Sequence, residues 1–228
     1  MDYVYTCRNS ENEELLYSLR CLEENMPNGR VWLVGYRPKW YVGDFVSVKD
    51  VGNKFDNIRQ CIKKITEIDE ISDNFVLMND DFFALKKINK IESFHGGLLS
   101  NKITRYKESR MSWKYIKLLE LTLKDLQNNG INKPLDYDIH LPMIMNKELL
   151  AQTIDKAYFP RSGYGNIVKI DGIETQDVKI YKSKNKLVKN ETGLISTETN
   201  SFQSLKNKIF KNNFYLSSSY EDSKYVDF

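Results

Sequence analysis

Two periodicities alternate through the first eighty residues, and that alternation limits the chain to a small set of folds. "YVYT" (3–6), "RVWLVG" (30–35), "DFVSV" (44–48) and "NFVLM" (74–78) are apolar runs of strand length. Between them, "SENEELLYSLRCLEEN" (10–25) sets Leu15, Leu16, Leu19 and Leu22 on one helical stripe, and Ser10 with Glu13 has the spacing of a capping box. "FDNIRQCIKKITEI" (55–68) repeats Phe55, Ile58, Ile62, Ile65 and Ile68 in the same way. Strands alternating with helices of this length imply an α/β fold, a mostly parallel central sheet with right-handed crossovers and flanking helices. Ligands of such sheets gather beyond the carboxyl ends of the strands. Asp80 and Asp81 fall at one such end, and Thr6, Cys7 and Arg8 at another.

Beyond residue 84 the pattern loosens. "HGGLLSNKITRYK" (95–107) reads as an excursion around a glycine pair, either a flap over a site or a plain surface loop. "MSWKYIKLLELTLKDLQNNG" (111–130) is a helix that Asn129 and Gly130 stop, and "HLPMIMNKELLAQTID" brings a further helix. From Phe159 onward lysine, asparagine and serine increase. The division expected is a core over 1–158 and a C-terminal segment over 159–228 that packs on it and completes the acceptor side. "KIYKSKNKLVKN" (179–190) is a basic run, read as solvated surface or, beside a cleft, as a track for phosphates.

Composition narrows the class of partner only weakly. Of 228 residues, 29% are charged, yet the net charge is +3, so the overall field neither requires nor excludes an anionic ligand. No apolar stretch approaches the roughly 20 residues of a membrane span, and the start of the chain has no basic leader. Cys7, Cys21 and Cys61 lack disulfide density and metal-type spacing and are expected as reduced thiols. The expectation is a cytoplasmic protein, in a host cytoplasm if a phage encodes it.

"FVLMNDDFF" (75–83) poses the chemical question, because burying a carboxylate without a partner is expensive. The adjacent Asp80 and Asp81 could bind a divalent cation that bridges a diphosphate, divide acid and base roles, or cap a turn. Apolar residues on both sides favour metal or substrate over a solvated turn. Arg161, in "PRSGYGN", is read either as an anion contact beside close-approaching glycine backbone or as part of a turn. Trp32 alternates within a strand and is expected in the core. Trp40, after "RPK", is the better candidate to stack on a ligand. His95, beside the glycine pair, is expected to be structural.

"DYVYT", "RNSENEELLYSLRCLEENMP", "VWLVGYRPKW", "FVLMNDDFF" and "IHLPMIMNKELL" resemble, in that order, the conserved regions of the Stealth proteins. These are bacterial capsular polysaccharide phosphotransferases and their relatives, including the lysosomal-enzyme GlcNAc-phosphotransferase. The resemblance covers about the first 150 residues. In Stealth proteins the first strand motif continues with a tryptophan and an acidic residue, whereas Cys7 and Arg8 follow directly here. "RSGYGN" (161–166) and "STETNSF" (196–202) look more like compact glycosyltransferases encoded by bacteriophages.

The resemblance implies a GT-A-like fold and a divalent cation, Mn2+ or Mg2+, held by Asp80, Asp81 and His140. It implies a nucleotide sugar, a UDP-sugar foremost, as donor, with Arg8 and Asp80 as contacts; Thr6 and Asn79 at the strand ends, Trp40 and Arg161 complete the candidate contacts. Asp81, His140 and Arg8 would carry the chemistry, His140 by ligating metal or moving a proton and Arg8 by facing phosphate. The reaction implied is glycosyl transfer to a hydroxyl of a modified DNA base or a glycan. Transfer of sugar 1-phosphate to a glycan, or binding of sugar or nucleic acid without catalysis, are the alternatives.

Overall fold

A computed structural model describes residues 1–7, 13–180, 192–197, 202–203, 206 and 224–225. Its centre is a five-stranded sheet in the order β3-β2-β1-β4-β7. The strands are β1 (Asp2–Cys7), β2 (Val31–Gly35), β3 (Asp44–Ser47), β4 (Asn74–Asn79) and β7 (Met143–Asn146). The first four are mutually parallel, with Thr6 beside both Val34 and Asn79, and β7 runs antiparallel to β4. The protein is therefore α/β with a mixed, mostly parallel sheet, flanked by six helices among the described residues.

Side chains alternate across the sheet because successive residues of a strand point to opposite faces. Tyr3, Tyr5, Leu33, Val76 and Met78 form one core with Leu15, Leu19 and Leu22 of α1 (Glu13–Asn25). Val4, Trp32, Val34, Phe75 and Leu77 form the other with Cys61, Ile62 and Ile65 of α2 (Lys54–Ile65). Asn53 starts α2 by accepting from the Phe55 and Asp56 amides, which satisfies two donors that a helix start would otherwise leave bare. The helix stops at Ile65, before Ile68. Ser10 lies outside the described residues, as does the capping box read around it. Cys7, Cys21 and Cys61 are buried free thiols, and Trp32 is a core residue.

After β4 the chain makes β5 (Phe82–Ala84) and β6 (Phe94–His95), then α3 (Leu99–Glu108) and α4 (Trp113–Asn128). The 95–107 stretch is thus mostly helix, and the expectation of a flap or loop there is corrected. Gly97, at φ +79, makes the turn that leads into α3. Leu99, Lys102 and Ile103 face inward at helical spacing, the lysine neutralised by Asp136 at 2.9 Å. A buried lysine in the stripe hid the helix from a reading by apolar spacing. "MIMN" is likewise a separate edge strand, β7, ahead of α5 (Lys147–Thr153).

"PRSGYGNI" forms α6 (Pro160–Ile167), so the turn expected at 161–166 is corrected as well. Its glycines serve packing. A Cβ on Gly165 would run into the Tyr137 ring, and one on Gly163 would press on Ala157 at 3.2 Å. The remaining described strands are β8 (Ile173–Glu174), β9 (Lys179–Ile180) and β10 (Leu194–Thr197). β10 joins β5 to β9, and β6 pairs with β8. No described helix is long and apolar enough to cross a membrane.

Gly165→Ala is expected to lower unfolding free energy by about 1–3 kcal/mol through overpacking against Tyr137. Urea denaturation measures it, and an unchanged midpoint would contradict this packing account.

Candidate functional site

The strand order reverses between β1 and β4: β2 and β3 lie on one side of β1, β4 and β7 on the other. Such a reversal leaves a crevice outside the carboxyl ends of the two strands, because the chain leaves them in opposite directions. A cavity of about 530 Å³ opens there, and Thr6 of β1 and Asn79 of β4 line it together with Asp80 and Asp81.

The cavity has two unlike walls. Phe55, Ile58 and Ile62 of α2, with Tyr115 and Phe159, make an apolar one. The Phe55 and Tyr115 rings stack at 5.6 Å, and Phe159 meets both edge-on. Charged groups line the rest, with Glu14, Asp80, Asp81 and Asp138 as carboxylates and Arg161 and Lys179 as cations beside His140, while Lys54 lies over the Phe55 ring at 5.6 Å. Among the described lining residues, carboxylates outnumber permanent cations.

Asp81 is the buried member of the acidic pair. Its Oδ2 accepts from Lys179 Nζ at 2.8 Å and from Ser196 Oγ at 2.7 Å. Burial raises its pKa, but the Lys179 charge, His140 and these two hydrogen bonds outweigh burial and hold the carboxyl below the usual range. Lys179 therefore sits in an ion pair, which corrects the reading of the 179–190 run as surface at this first position. Residues 181–190 lie outside the described ones. Asp80 is half-buried, and its carboxylate, after burial itself, helps push the Cys7 thiol up.

His140 lines the same wall. Its Nδ1 lies 2.9 and 3.0 Å from the two Asp177 oxygens, and its amide donates to Asp177 Oδ1 at 3.2 Å. Burial would raise the Asp177 pKa, but the His140 charge and hydrogen bonds drive it well below the usual carboxylate range. Asp177 and Lys179 lie two apart, and Asp177 reaches His140 while Lys179 reaches Asp81. Val178 between them is fully buried. Sequence reasoning missed this "DVK" segment, and the alternation of opposite charges around a valine was the signal that could have found it.

Arg161, at the start of α6, is 7% exposed. Its guanidinium donates through Nη2 to the Leu141 carbonyl, while Nε and Nη1 have no hydrogen-bond partner among the described residues. The glycines of its helix pack on Tyr137 and Ala157, so they do not bring bare backbone amides to a ligand. Asp138, also missed, accepts from Ser162 Oγ at 2.5 Å. Burial and then Asp136 raise its pKa. Lys102 donates to the Asp138 carbonyl, and Asp136 accepts from the Asp138 amide, so the main chain here is clamped from both sides.

The structure brings Thr6, Asn79, Asp80, Asp81, His140 and Arg161 to one cavity. Trp40 does not line it; the ring is half-buried and meets Tyr41 edge-on against the core. Arg8 lies outside the described residues. His95 is buried against Tyr137, away from the cavity lining. Asp80, Asp81 and His140 all line the cavity, and among the described residues no three His, Cys, Asp or Glu side chains already group as a preformed metal site. Hard carboxylate oxygens at the end of β4 suit a divalent cation, and among the described lining residues carboxylates outnumber cations. No protein-family model matches the chain, and no curated protein matches it.

Breaking a buried ion pair leaves a bare charge. Lys179→Met is expected to cost about 3–5 kcal/mol at neutral pH, and adding Asp81→Leu should return part of it. Additive effects of the two substitutions in denaturant unfolding would contradict the pairing. The two shifted carboxyls also act oppositely on stability. Asp81, lowered in the fold, contributes above about pH 4 and loses that contribution as pH falls through its folded value. Asp138, raised in the fold, contributes at acid pH and loses that contribution as pH rises. Asp81→Asn is therefore expected to destabilise most at neutral pH, and Asp138→Asn to stabilise there; the reverse order in a pH series would contradict the assignment.

Proposed function

We propose that this protein is a metal-dependent glycosyltransferase of GT-A-like fold, moving a sugar from a nucleotide sugar to an acceptor hydroxyl. The observation that carries the reading is the coincidence, at the reversal point of a mostly parallel sheet, of an acidic strand end with an aromatic wall in one cavity. Apolar, aromatic surface suits a nucleobase, and the charged wall suits a sugar and its phosphates.

Each residue has a task in that reading. Asp80 would hold the divalent cation together with diphosphate oxygens, and the cation would supply charge to offset that building on the departing diphosphate. Asp81, fixed by Lys179 and Ser196, keeps the strand end rigid and negative beside it. Thr6 and Asn79, neighbours across β1 and β4, present polar side chains to the donor. The buried Arg161 guanidinium places positive charge behind the reacting groups, and His140 stands at the acceptor side. A glycan or a modified DNA base would present the hydroxyl.

The test is a screen of nucleotide sugars with Mn2+ or Mg2+, read first by thermal shift and then by the mass of the released nucleotide. A ligand at about a hundred times its Kd stabilises by about 2.7 kcal/mol, which a thermal shift resolves. Release of nucleoside diphosphate is expected; nucleoside monophosphate would mean transfer of sugar 1-phosphate instead. Asp80→Asn is the appropriate disabling substitution, because Asp81→Ala would leave Lys179 buried and unpaired. Turnover is expected to fall at least about 100-fold in Asp80→Asn. Metal-independent turnover, or no response to any nucleotide sugar, would refute the reading.

A further inference from the structure

The chain has two histidines, and the structure holds them in opposite ways. At His95, Nδ1 accepts a hydrogen bond from the Gly97 amide at 3.1 Å, so the neutral ring must carry its proton on Nε2. At His140, Nδ1 faces both oxygens of Asp177. An ionised carboxylate only accepts, so here the proton belongs on Nδ1 and the lone pair on Nε2. No described residue hydrogen-bonds to His140 Nε2, and the ring lines the cavity.

Asp177 is itself fixed. Its Oδ1 accepts from the His140 and Lys179 amides, both at 3.2 Å, in addition to facing the ring. Two residues on, Lys179 grips Asp81. The short segment 177–179 thus contacts both His140 and Asp81.

We infer that Asp177 is a positioning residue that locks His140 in the Nδ1–H tautomer, so that Nε2 takes the proton of the acceptor hydroxyl during transfer. This rests on the glycosyltransferase reading for its chemistry, though not for its geometry. In the step, the acceptor O–H proton moves to Nε2 and the acceptor oxygen forms a bond to the anomeric carbon. The bond from that carbon to the phosphate oxygen breaks, and its electron pair leaves with the diphosphate. The Nδ1 proton stays on His140, where Asp177 balances the imidazolium that results.

Asp177→Asn provides a sharp test. The amide oxygen is expected to keep the two backbone amides, which turns the NH2 group toward His140 Nδ1 and forces that nitrogen to accept. The tautomer should then switch to Nε2–H. Two-bond 1H–15N correlation spectra on the alkaline side, where imidazole is ordinarily neutral, distinguish the forms, and His140→Gln assigns the signals. The expected wild-type spectrum shows His140 protonated on Nδ1 and His95 on Nε2. Asp177→Asn should change His140 alone, with the unmoved His95 signals reporting an intact fold.

A wild-type His140 protonated on Nε2, or one indifferent to Asp177→Asn, would overturn the inference. With a nucleotide sugar and acceptor, transfer is expected to fall at least about 100-fold in Asp177→Asn while donor binding holds. A switched tautomer with full transfer would also overturn the proposed proton route. A wild type that shows the expected tautomers but turns over no nucleotide sugar would instead refute the functional reading and leave the positioning of His140 standing.

Discussion

The ion pair between Asp81 and Lys179 is the contact on which the site depends. It joins the end of a central parallel strand to a segment about a hundred residues later, inside a wall where either charge alone would be costly. Ser196 adds a second donor from β10, which pairs with β5 just beyond the acidic residues. The carboxylate that looked anomalous in an apolar strand is one of the contacts that tie the C-terminal segment to the core, beside the pairing of β10 with β5. With it come Asp177 and the orientation of His140.

That division of labour separates two neighbours that read alike in the sequence. Asp81 is buried and has its oxygen Oδ2 engaged by partners within the chain, whereas Asp80 is half-buried at the cavity. In the proposed reading Asp80 meets the ligand, and Asp81 acts through structure and field. The same distinction applies around His140, where Asp177 works through the ring and Asp138 is held by Ser162 and the clamped main chain.

The parallel half of the fold was legible because its two periodicities are clean. Tyr3 and Tyr5 alternate with Val4, and Leu15, Leu19 and Leu22 recur at helical spacing, so faces and layers follow directly. Legibility failed where a polar residue took a core position or one element ran into the next. Lys102, neutralised by Asp136, interrupts the apolar stripe of α3, and "MIMN" passes into α5 without a turn signal. Gly163 and Gly165 looked like turn residues but serve close helix packing, which depends on what lies opposite. Of the site, the strand-end residues could be located from the sheet rule, whereas Asp138 could not, and Asp177 and Lys179 showed only as opposite charges around a valine. Their partners are distant in sequence, and their spacing resembles ordinary surface charge.

The central claim is that a nucleoside diphosphate and a divalent cation bind together in the crevice at the ends of β1 and β4. Paramagnetic broadening of amide signals in 15N-labelled protein, with Mn2+ and UDP added singly and jointly, tests it most directly. The account expects Thr6, Asn79, Asp80 and His140 to lose intensity most strongly when both are present. Broadening centred on other residues, or none beyond that from unbound Mn2+, would contradict it.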